Sequence, residues 1–195
     1  MSEMNDNCIL NGRPYGGVAI IWKRSSPLKF ENLATSSKRL CAVRVTGDNV
    51  DLLLITVYMP YKNANDDEFF NLLCEMNAIC NTYEELDVII GGDFNCDVAL
   101  KDVRSSMFHE FTISNEYFTP TLERRFNISY TFINSLNQRS LIDHFFVNSR
   151  IYDKLNNCYV LEDGDNLSDH CPLVLEVDFN LKPNDKLYEE SYVKS

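Results

Sequence analysis

The sequence lacks any apolar run long enough to cross a membrane. Its longest runs, VAIIW and LLLITVY, are far shorter than the roughly 20 residues that a membrane-spanning helix needs. The N-terminus, MSEMNDNCILNGR, has no basic region followed by an apolar one, so it shows no signal peptide. These absences favour an intracellular protein of the cytoplasm or the nucleus.

The sequence also lacks paired cysteines and an excess of basic charge. Its seven cysteines include no C-x-x-C pair, which predicts reduced thiols rather than a disulfide framework or a zinc site. The 18 Lys and Arg residues stand against 29 Asp and Glu residues, giving a net charge of −11. This charge argues against a protein that holds DNA by charge alone, but not against an enzyme whose carboxylates hold divalent cations.

The length and the apolar content of the sequence suit one globular domain. The chain has 195 residues, of which 45% are apolar and 12% aromatic, and this suits a single sizeable core. We expect an irregular N-terminal segment over residues 1–12, a folded domain over 13–180 and a flexible tail over 181–195.

Hydrophobic patterning predicts many strands and few helices. Helical spacing predicts an amphipathic helix over 66–82 and a weaker one over 104–117. This combination favours a sheet packed on a sheet with helices outside. The predicted strands are 15–23, 39–46, 50–60, 86–92, 129–133, 140–147, 157–162 and 171–179, with 129–133 paired to 140–147.

Four short stretches place polar side chains at or near the ends of predicted strands. Two of these side chains stand two residues apart in GGDFN, so both point to one face if the chain stays extended. The stretches are VYMP with Tyr58, GGDFN with Asp93 and Asn95, SLIDH with Asp143, and LSDHCPL with Asp169 and His170.

These residue types suffice for metal-assisted hydrolysis of a phosphoester. Asp143 lies inside an apolar strand and needs a buried partner, for which a histidine is the obvious candidate. Asp169 would then serve to bind a hard cation such as Mg²⁺, which prefers oxygen ligands. Asp93 could orient a water molecule, and Asn95 could donate hydrogen bonds to its neighbours.

Each stretch also has a purely structural interpretation. Tyr58 could be a packing aromatic, GDFN a structural turn, Asp143 the partner of an arginine, and Asp169 with His170 an ordinary loop before a proline. The other two histidines, His109 and His144, are assigned to the surface or to packing. The occurrence of all four stretches in this order, each at or near a strand end, favours a functional site.

The series VYMP, GGDFN, SLIDHFFV and SDHCPL resembles the endonuclease/exonuclease/phosphatase superfamily. GRPYGGVAIIW together with S-x-IDH resembles the endonuclease of non-LTR retrotransposons. The resemblance implies an α/β fold, the four-layer αββα sandwich of DNase I-like proteins, missing its first strands. It also implies a phosphodiesterase that uses Mg²⁺ or Mn²⁺, cuts DNA to leave a 3′-hydroxyl, and precedes a reverse transcriptase domain in full-length relatives.

The resemblance also implies roles for single residues. Tyr58 would contact the scissile phosphate, Asp93 would orient or deprotonate the attacking water, and Asn95 would stabilise charge. Asp143 would buttress His170, which would stabilise a phosphate oxygen during in-line attack. The metal would be held by Asp93, Asn95, Asp169 and His170.

Two further motifs of the family have no counterpart before GRPYGG. One is a strand with a site asparagine, and the other is a strand that ends in a metal-binding glutamate. Glu3 precedes GRPYGG, but no apolar strand leads into it. Because loss of an anionic ligand weakens metal binding, we expect impaired endonuclease activity. A phosphatase acting on a small phosphoester and a non-catalytic remnant remain the alternatives.

Overall fold

The computed structural model describes residues 17–61, 65–161, 164 and 166–181. Two short 3₁₀ turns, at Pro120–Leu122 and Arg124–Phe126, accompany the regular elements. Those elements, in chain order, are β1 (Lys29–Leu33), β2 (Leu40–Gly47), β3 (Val50–Tyr58), α1 (Asp66–Thr82), β4 (Asp87–Asp93), α2 (Val103–Ser114), β5 (Phe132–Ile133), β6 (Arg139–Ser140), β7 (Asp143–Val147), α3 (Ser149–Tyr152), β8 (Leu155–Val160) and β9 (Leu173–Val177).

A five-stranded sheet in the order β1-β2-β3-β4-β7 forms the centre of the molecule. Its strand pairs are antiparallel except for β3 and β4, which run parallel and are joined through α1. Because β3 and β4 are parallel, their C-terminal ends meet at the same edge of the sheet, and antiparallel β7 begins there. This edge carries the polar residues discussed below.

Helix α1 confirms the prediction made from its spacing, with the predicted bounds. Asn65 caps its N-terminus by accepting a hydrogen bond from the backbone N–H of Asp67, and three acidic residues occupy its first turn. The second helix covers Val103–Ser114 rather than 104–117, because Asp102 and Ser105 form a capping box that sets its start. The apolar face of α1 consists of Phe69, Leu72, Leu73, Met76 and Cys80.

The two faces of the central sheet are covered differently. Helices α1 and α2 pack on one face and share a core with alternate residues of β2, β3, β4 and β7, Leu53, Ile55 and Phe146 among them. The β8–β9 hairpin packs on the other face through Leu175 and Val177. Helix layer, central sheet and second sheet therefore follow one another, which confirms the predicted α/β class and the packing of sheet on sheet.

Two strand predictions are wrong in part. Residues 17–23 form no strand, because no described strand lies beside them; Ile21 is 91% exposed and Trp22 stacks on the ring of Phe30. The strand predicted over 140–147 is split at Leu141. Its first part, β6, pairs with β5 over two residues, whereas β7 pairs with β4.

Some predictions lie outside the described residues. These include the irregular segment 1–12, the first part of the strand predicted over 15–23 and the tail beyond residue 181. Within the described ranges, the six cysteines are all free thiols, as the odd count and the spacing predicted. No helix in the same ranges is both long enough and apolar enough to span a membrane.

Candidate active site

Three of the predicted site residues form one row across the central sheet. Tyr58 at the end of β3 is the register partner of Asp93 at the end of β4, and Asp93 is the register partner of Asp143 at the start of β7. Because side chains alternate between faces, all three face the second sheet. The preceding row, with Val57 and His144, faces the helices.

A tight turn after β4 joins Asn95 to Asp93. Between them, the fully buried Phe94 packs edge-to-face on Phe108 and Phe146, which fixes the turn. Asn95 leaves the extended conformation with a φ of 46°, a left-handed value that asparagine tolerates. Its backbone N–H donates to Asp93 Oδ1 at 2.8 Å, and its side-chain Nδ2 donates to Asp93 Oδ2 at 3.2 Å. The two side chains meet through this turn rather than through strand alternation.

The loop before β9 brings His170 to the row. Asn166 Oδ1 accepts from the backbone N–H of Ser168, and Asn166 Nδ2 donates to the carbonyl of His170 at 2.7 Å. Ser168 Oγ accepts from the backbone N–H of His170 at 3.1 Å. This Asx-type turn holds the loop at both ends.

The imidazole of His170 lies between two carboxylates. Its Nδ1 donates to Asp143 Oδ2 at 3.0 Å, and its Nε2 lies 3.8 Å from Asp93 Oδ2. One ligand atom from each of these three residues lies within 4.8 Å of the other two. Since Asp143 occupies Nδ1, the free nitrogen Nε2 is directed towards Asp93.

Burial, hydrogen bonds and neighbouring charges shift the pKa values of Asp93 and His170. Burial raises the pKa of Asp93 to about 6, an effect opposed by the hydrogen bond from Asn95 and reinforced by Asp143. The hydrogen bond to Asp143 raises the pKa of His170 above its ordinary value. Asp93 therefore changes charge near neutral pH, which suits a group that accepts a proton during a reaction.

The donor set suits a hard divalent cation. Two carboxylates and one imidazole converge in a partly buried site, and the oxygen atoms are the ligands that Mg²⁺ and Mn²⁺ prefer. A cavity of about 380 Å³ adjoins the site and is lined in part by Asp143, His170 and Leu173. The arrangement can accept a proton at Asp93, donate one from Nε2 of His170, and hold a cation between the carboxylates.

Five of the six predicted site residues are therefore close together: Tyr58, Asp93, Asn95, Asp143 and His170. Asp169 is not one of the three clustered ligands, although its carbonyl accepts a hydrogen bond from the backbone N–H of Ile133 at 2.9 Å. His144 packs in the core and His109 is exposed, as the sequence suggested for both.

Two residues that hold the site were not singled out from the sequence. Asn166 stands two residues before Ser168, a spacing typical of an Asx turn, which is a signal that was available. Thr131, which is fully buried, carried no recognisable signal because its role depends on three separate chain segments.

The two glycines of GGDFN serve close packing. A side chain at Gly91 would meet the ring of Phe145 at 2.6 Å, and one at Gly92 would collide with the backbone of Val57. These close contacts with Phe145 and Val57 account for both glycines. Their small size brings β3, β4 and β7 into register beside Asp93.

Comparisons with known proteins agree with this geometry. The family model described as endonuclease-reverse transcriptase matches residues 52–174. The structure is similar to the endonuclease domain of TRAS1, a telomere-specific non-LTR retrotransposon, with a TM-score of 0.63 and 15% identity over 78% of this chain and 69% of that one. A search of curated protein sequences found no significant match.

Two further solved structures illustrate the range of similar proteins. The 3′ phosphatase NExo from Neisseria, bound to a product DNA hairpin, has a TM-score of 0.57 and 16% identity over 77% of this chain and 70% of that one. An AP endonuclease from Archaeoglobus fulgidus has a TM-score of 0.58 and 14% identity over 77% and 72%. At such identities the likeness shows the fold alone, which is the DNase I-like fold that the sequence motifs implied.

Proposed function

The chain belongs to the endonuclease-reverse transcriptase family of the endonuclease/exonuclease/phosphatase superfamily, and we propose that it is a divalent-metal-dependent DNA endonuclease of the retroelement type. Hydrolysis of phosphodiester bonds is the chemistry of this superfamily. Its assignment to DNA, to Mg²⁺ or Mn²⁺ and to a 3′-hydroxyl product is the proposal. The description of the family also links this domain to a reverse transcriptase in full-length relatives.

The observation that supports the proposal most is the position of His170 beside the row of Tyr58, Asp93 and Asp143. An imidazole whose Nδ1 is held by one carboxylate at 3.0 Å and whose Nε2 lies 3.8 Å from a second carboxylate is oriented for proton transfer or for charge stabilisation. A structural turn alone would not need this arrangement at a partly exposed edge of the sheet.

Each residue then has a role in the reaction. Asp93, in its ionised form, orients the attacking water and accepts its proton, while Asn95 keeps the carboxylate in place through two hydrogen bonds. The new P–O bond forms as the P–O3′ bond breaks, and the departing 3′ oxygen takes up a proton from solvent water. His170 donates from Nε2 to a phosphate oxygen, and Tyr58 contacts the same phosphate.

A cation would be held by oxygen atoms of Asp93 and Asn95, with His170 joining them only when its Nε2 is unprotonated. Asp169, the further ligand that the sequence motifs assign, lies outside the cluster of Asp93, Asp143 and His170 and would contribute an oxygen atom only if its side chain approached that cluster. When bound, it would neutralise the charge that develops on the phosphate. The raised pKa of His170 favours a role as hydrogen-bond donor over a role as ligand. Asp143 serves this role because its hydrogen bond orients the ring and favours the protonated form.

Nicking of supercoiled plasmid in Mg²⁺ and in Mn²⁺ tests the proposal. We expect nicking by the wild-type chain and a loss of at least about 10²-fold in Asp93→Asn, because removing a positioned proton acceptor costs about 10²–10⁴-fold. Asp97→Asn is the matched control, because Asp97 lies four residues further on and its side chain accepts a hydrogen bond from the backbone N–H of Ala99. It should keep wild-type activity.

Other outcomes would replace the proposal. Release of phosphate from a 3′-phosphorylated oligonucleotide or a small phosphoester, without nicking, would indicate a phosphatase. A folded wild-type chain that cuts no substrate in either metal would indicate a non-catalytic remnant.

A further inference from the structure

Thr131 contacts both chain segments that carry the Asp143–His170 pair. Its side chain is fully buried and lies just before β5. Asp143 belongs to the central sheet, whereas His170 belongs to the loop that enters the second sheet. Among the residues that the structure describes, no regular hydrogen-bond ladder joins these two sheets, so the distance between the two side chains depends on other contacts.

The hydroxyl of Thr131 fixes the start of β7. Oγ1 accepts from the backbone N–H of Ile142 at 3.2 Å and from that of Asp143 at 3.0 Å. The backbone N–H of Thr131 donates to the carbonyl of Ser140 at 2.9 Å. One residue therefore holds the chain on both sides of the break between β6 and β7, immediately before the Asp143 side chain.

The carbonyl of the same residue holds the histidine loop. It accepts from the backbone N–H of Cys171, next to His170, at 2.7 Å. The following residues continue the contact: the ring of Phe132 lies 4.9 Å from that of His170 between centroids, and the N–H of Ile133 donates to the carbonyl of Asp169. The segment 131–133 thus lies along the loop from Asp169 to Cys171.

We propose that Thr131 is the positioning residue that sets the Asp143–His170 hydrogen bond, and through it the orientation of Nε2 towards Asp93. Its effect on DNA cleavage rests on the proposed function, whereas its effect on the hydrogen bond does not. Valine has the shape of threonine but cannot accept hydrogen bonds. It would remove the partner of two partly buried N–H groups, and β7 would shift to relieve them.

The matched variants are Thr131→Val, Thr131→Ser and Thr121→Val. Serine keeps the hydroxyl and loses only a methyl group. Thr121 is the control because its side chain is also buried and its hydroxyl has a defined side-chain partner, Nδ1 of His144 at 2.9 Å. Both valine variants remove a buried hydroxyl, but only the one at Thr131 removes contacts to the backbone that carries Asp143.

The first readout is the Nδ1–H resonance of His170 in the full-length, metal-free protein, observed by NMR after labelling the histidine ring nitrogens. We expect the downfield signal of a proton bonded to a carboxylate in the wild type, in Thr131→Ser and in Thr121→Val. We expect its loss in Thr131→Val. A residue that contributes only to stability would not change this signal in a folded protein.

The second readout is plasmid nicking in Mg²⁺ with equal amounts of folded protein. A misplacement of about 1 Å can cost about 10²-fold, so kcat should fall about 10²-fold in Thr131→Val with little change in KM. In Thr131→Ser and Thr121→Val, kcat should stay within about three-fold of wild type.

The inference is overturned if Thr131→Val keeps the Nδ1–H signal, or if Thr121→Val loses it to the same extent. If Thr131→Val does not fold, Thr131→Ser decides, because loss of the signal there would show that the hydroxyl is not what holds the pair. If the wild-type chain cuts no DNA, the proposed function fails while the NMR comparison still tests the role of Thr131.

Discussion

His144 and His170 both adjoin Asp143, the first through the chain and the second through a hydrogen bond, yet their pKa values move in opposite directions. His144 is fully buried on the helix side of the sheet, and burial lowers its pKa to about 4. His170 is partly exposed on the other side, and the hydrogen bond to Asp143 raises its pKa. Consecutive residues of β7 face opposite sides of the sheet. His144 therefore packs against the helices, whereas Asp143, the residue before it, faces His170.

Their hydrogen bonds explain the difference. Nε2 of His144 faces the carbonyl of Cys96 at 3.3 Å and therefore carries the proton, so Nδ1 accepts from the hydroxyl of Thr121 at 2.9 Å. A neutral imidazole satisfies both partners. His170 instead faces carboxylates at both nitrogens, and these favour the charged ring. A histidine that contacts a carboxylate in the folded structure is thus a better indication of a functional site than a histidine that only follows a carboxylate in the sequence.

The largest expected effect is on cleavage. His170→Gln should lower plasmid nicking by about 10²–10³-fold, because it removes a donor aimed at the developing charge. His144→Gln, assayed with equal amounts of folded protein, should stay within about five-fold of wild type. Equal losses in both variants would show that the contrast between the two histidines has no bearing on catalysis.

The second effect is on stability, for which His144 should matter more than His170. His144→Ala should lower the free energy of unfolding by about 2–4 kcal/mol, because it leaves a cavity and removes the partner of the buried Thr121 hydroxyl. His170→Ala should lower it by less than about 1 kcal/mol. Urea unfolding followed by circular dichroism measures both values, and a larger loss in His170→Ala would contradict the assignment.

A third effect separates the histidines by pH. His144 binds its proton less readily in the folded state than in the unfolded state, so stability should fall by about 3 kcal/mol as the pH drops from about 6.5 to 4. The raised pKa of His170 stabilises the fold below about 6.5, and this contribution is lost as the pH rises through its folded value. His144→Gln should therefore flatten the acid side of the stability profile and His170→Gln the alkaline side. Unfolding curves from pH 4 to 9 that show the same change in both variants would contradict this.

The smallest effect concerns Asp93. Because its pKa is raised to about 6, the ionised carboxylate lowers stability once the pH passes from about 4 to above 6. Asp93→Asn should lower nicking at least about 10²-fold yet raise the free energy of unfolding by about 1 kcal/mol at pH 7.5, with little gain at pH 4. Site residues that lower stability for function commonly behave in this way. A destabilised variant at pH 7.5 would show that Asp93 is a structural acid.

Many of the strands and several of the site residues could be predicted from local sequence patterns. Strands β2, β3, β4, β8 and β9 and helix α1 follow from hydrophobic periodicity. Tyr58 and Asp93 were recognisable because each stands at or beside the end of a predicted strand, and Asp143 because it is an acid inside an apolar one. The row that they form depends on the parallel pairing of β3 with β4 and the antiparallel pairing of β4 with β7. Single-strand patterns do not contain this register.

The remaining features depend on contacts distant in sequence. The strand predicted over 15–23 has an apolar pattern, but an apolar run forms a strand only beside a partner, and residues 17–23 have none within the described ranges. The sequence did not predict strand β1, because buried and exposed residues do not alternate regularly along Lys29–Leu33. Thr131 acts through residues 140–143 and 171, so its position was visible only once the fold was known.

The central claim is that the site around Asp93, Asp143 and His170 cuts DNA to leave a 3′-hydroxyl. The most direct measurement is incorporation of labelled nucleotides by a DNA polymerase at nicks made in supercoiled plasmid by the full-length chain in Mg²⁺. We predict incorporation after treatment with wild type and His144→Gln, and none above background after treatment with His170→Gln. Nicks that the polymerase extends only after phosphatase treatment, or the absence of nicks with folded wild-type protein, would contradict the claim.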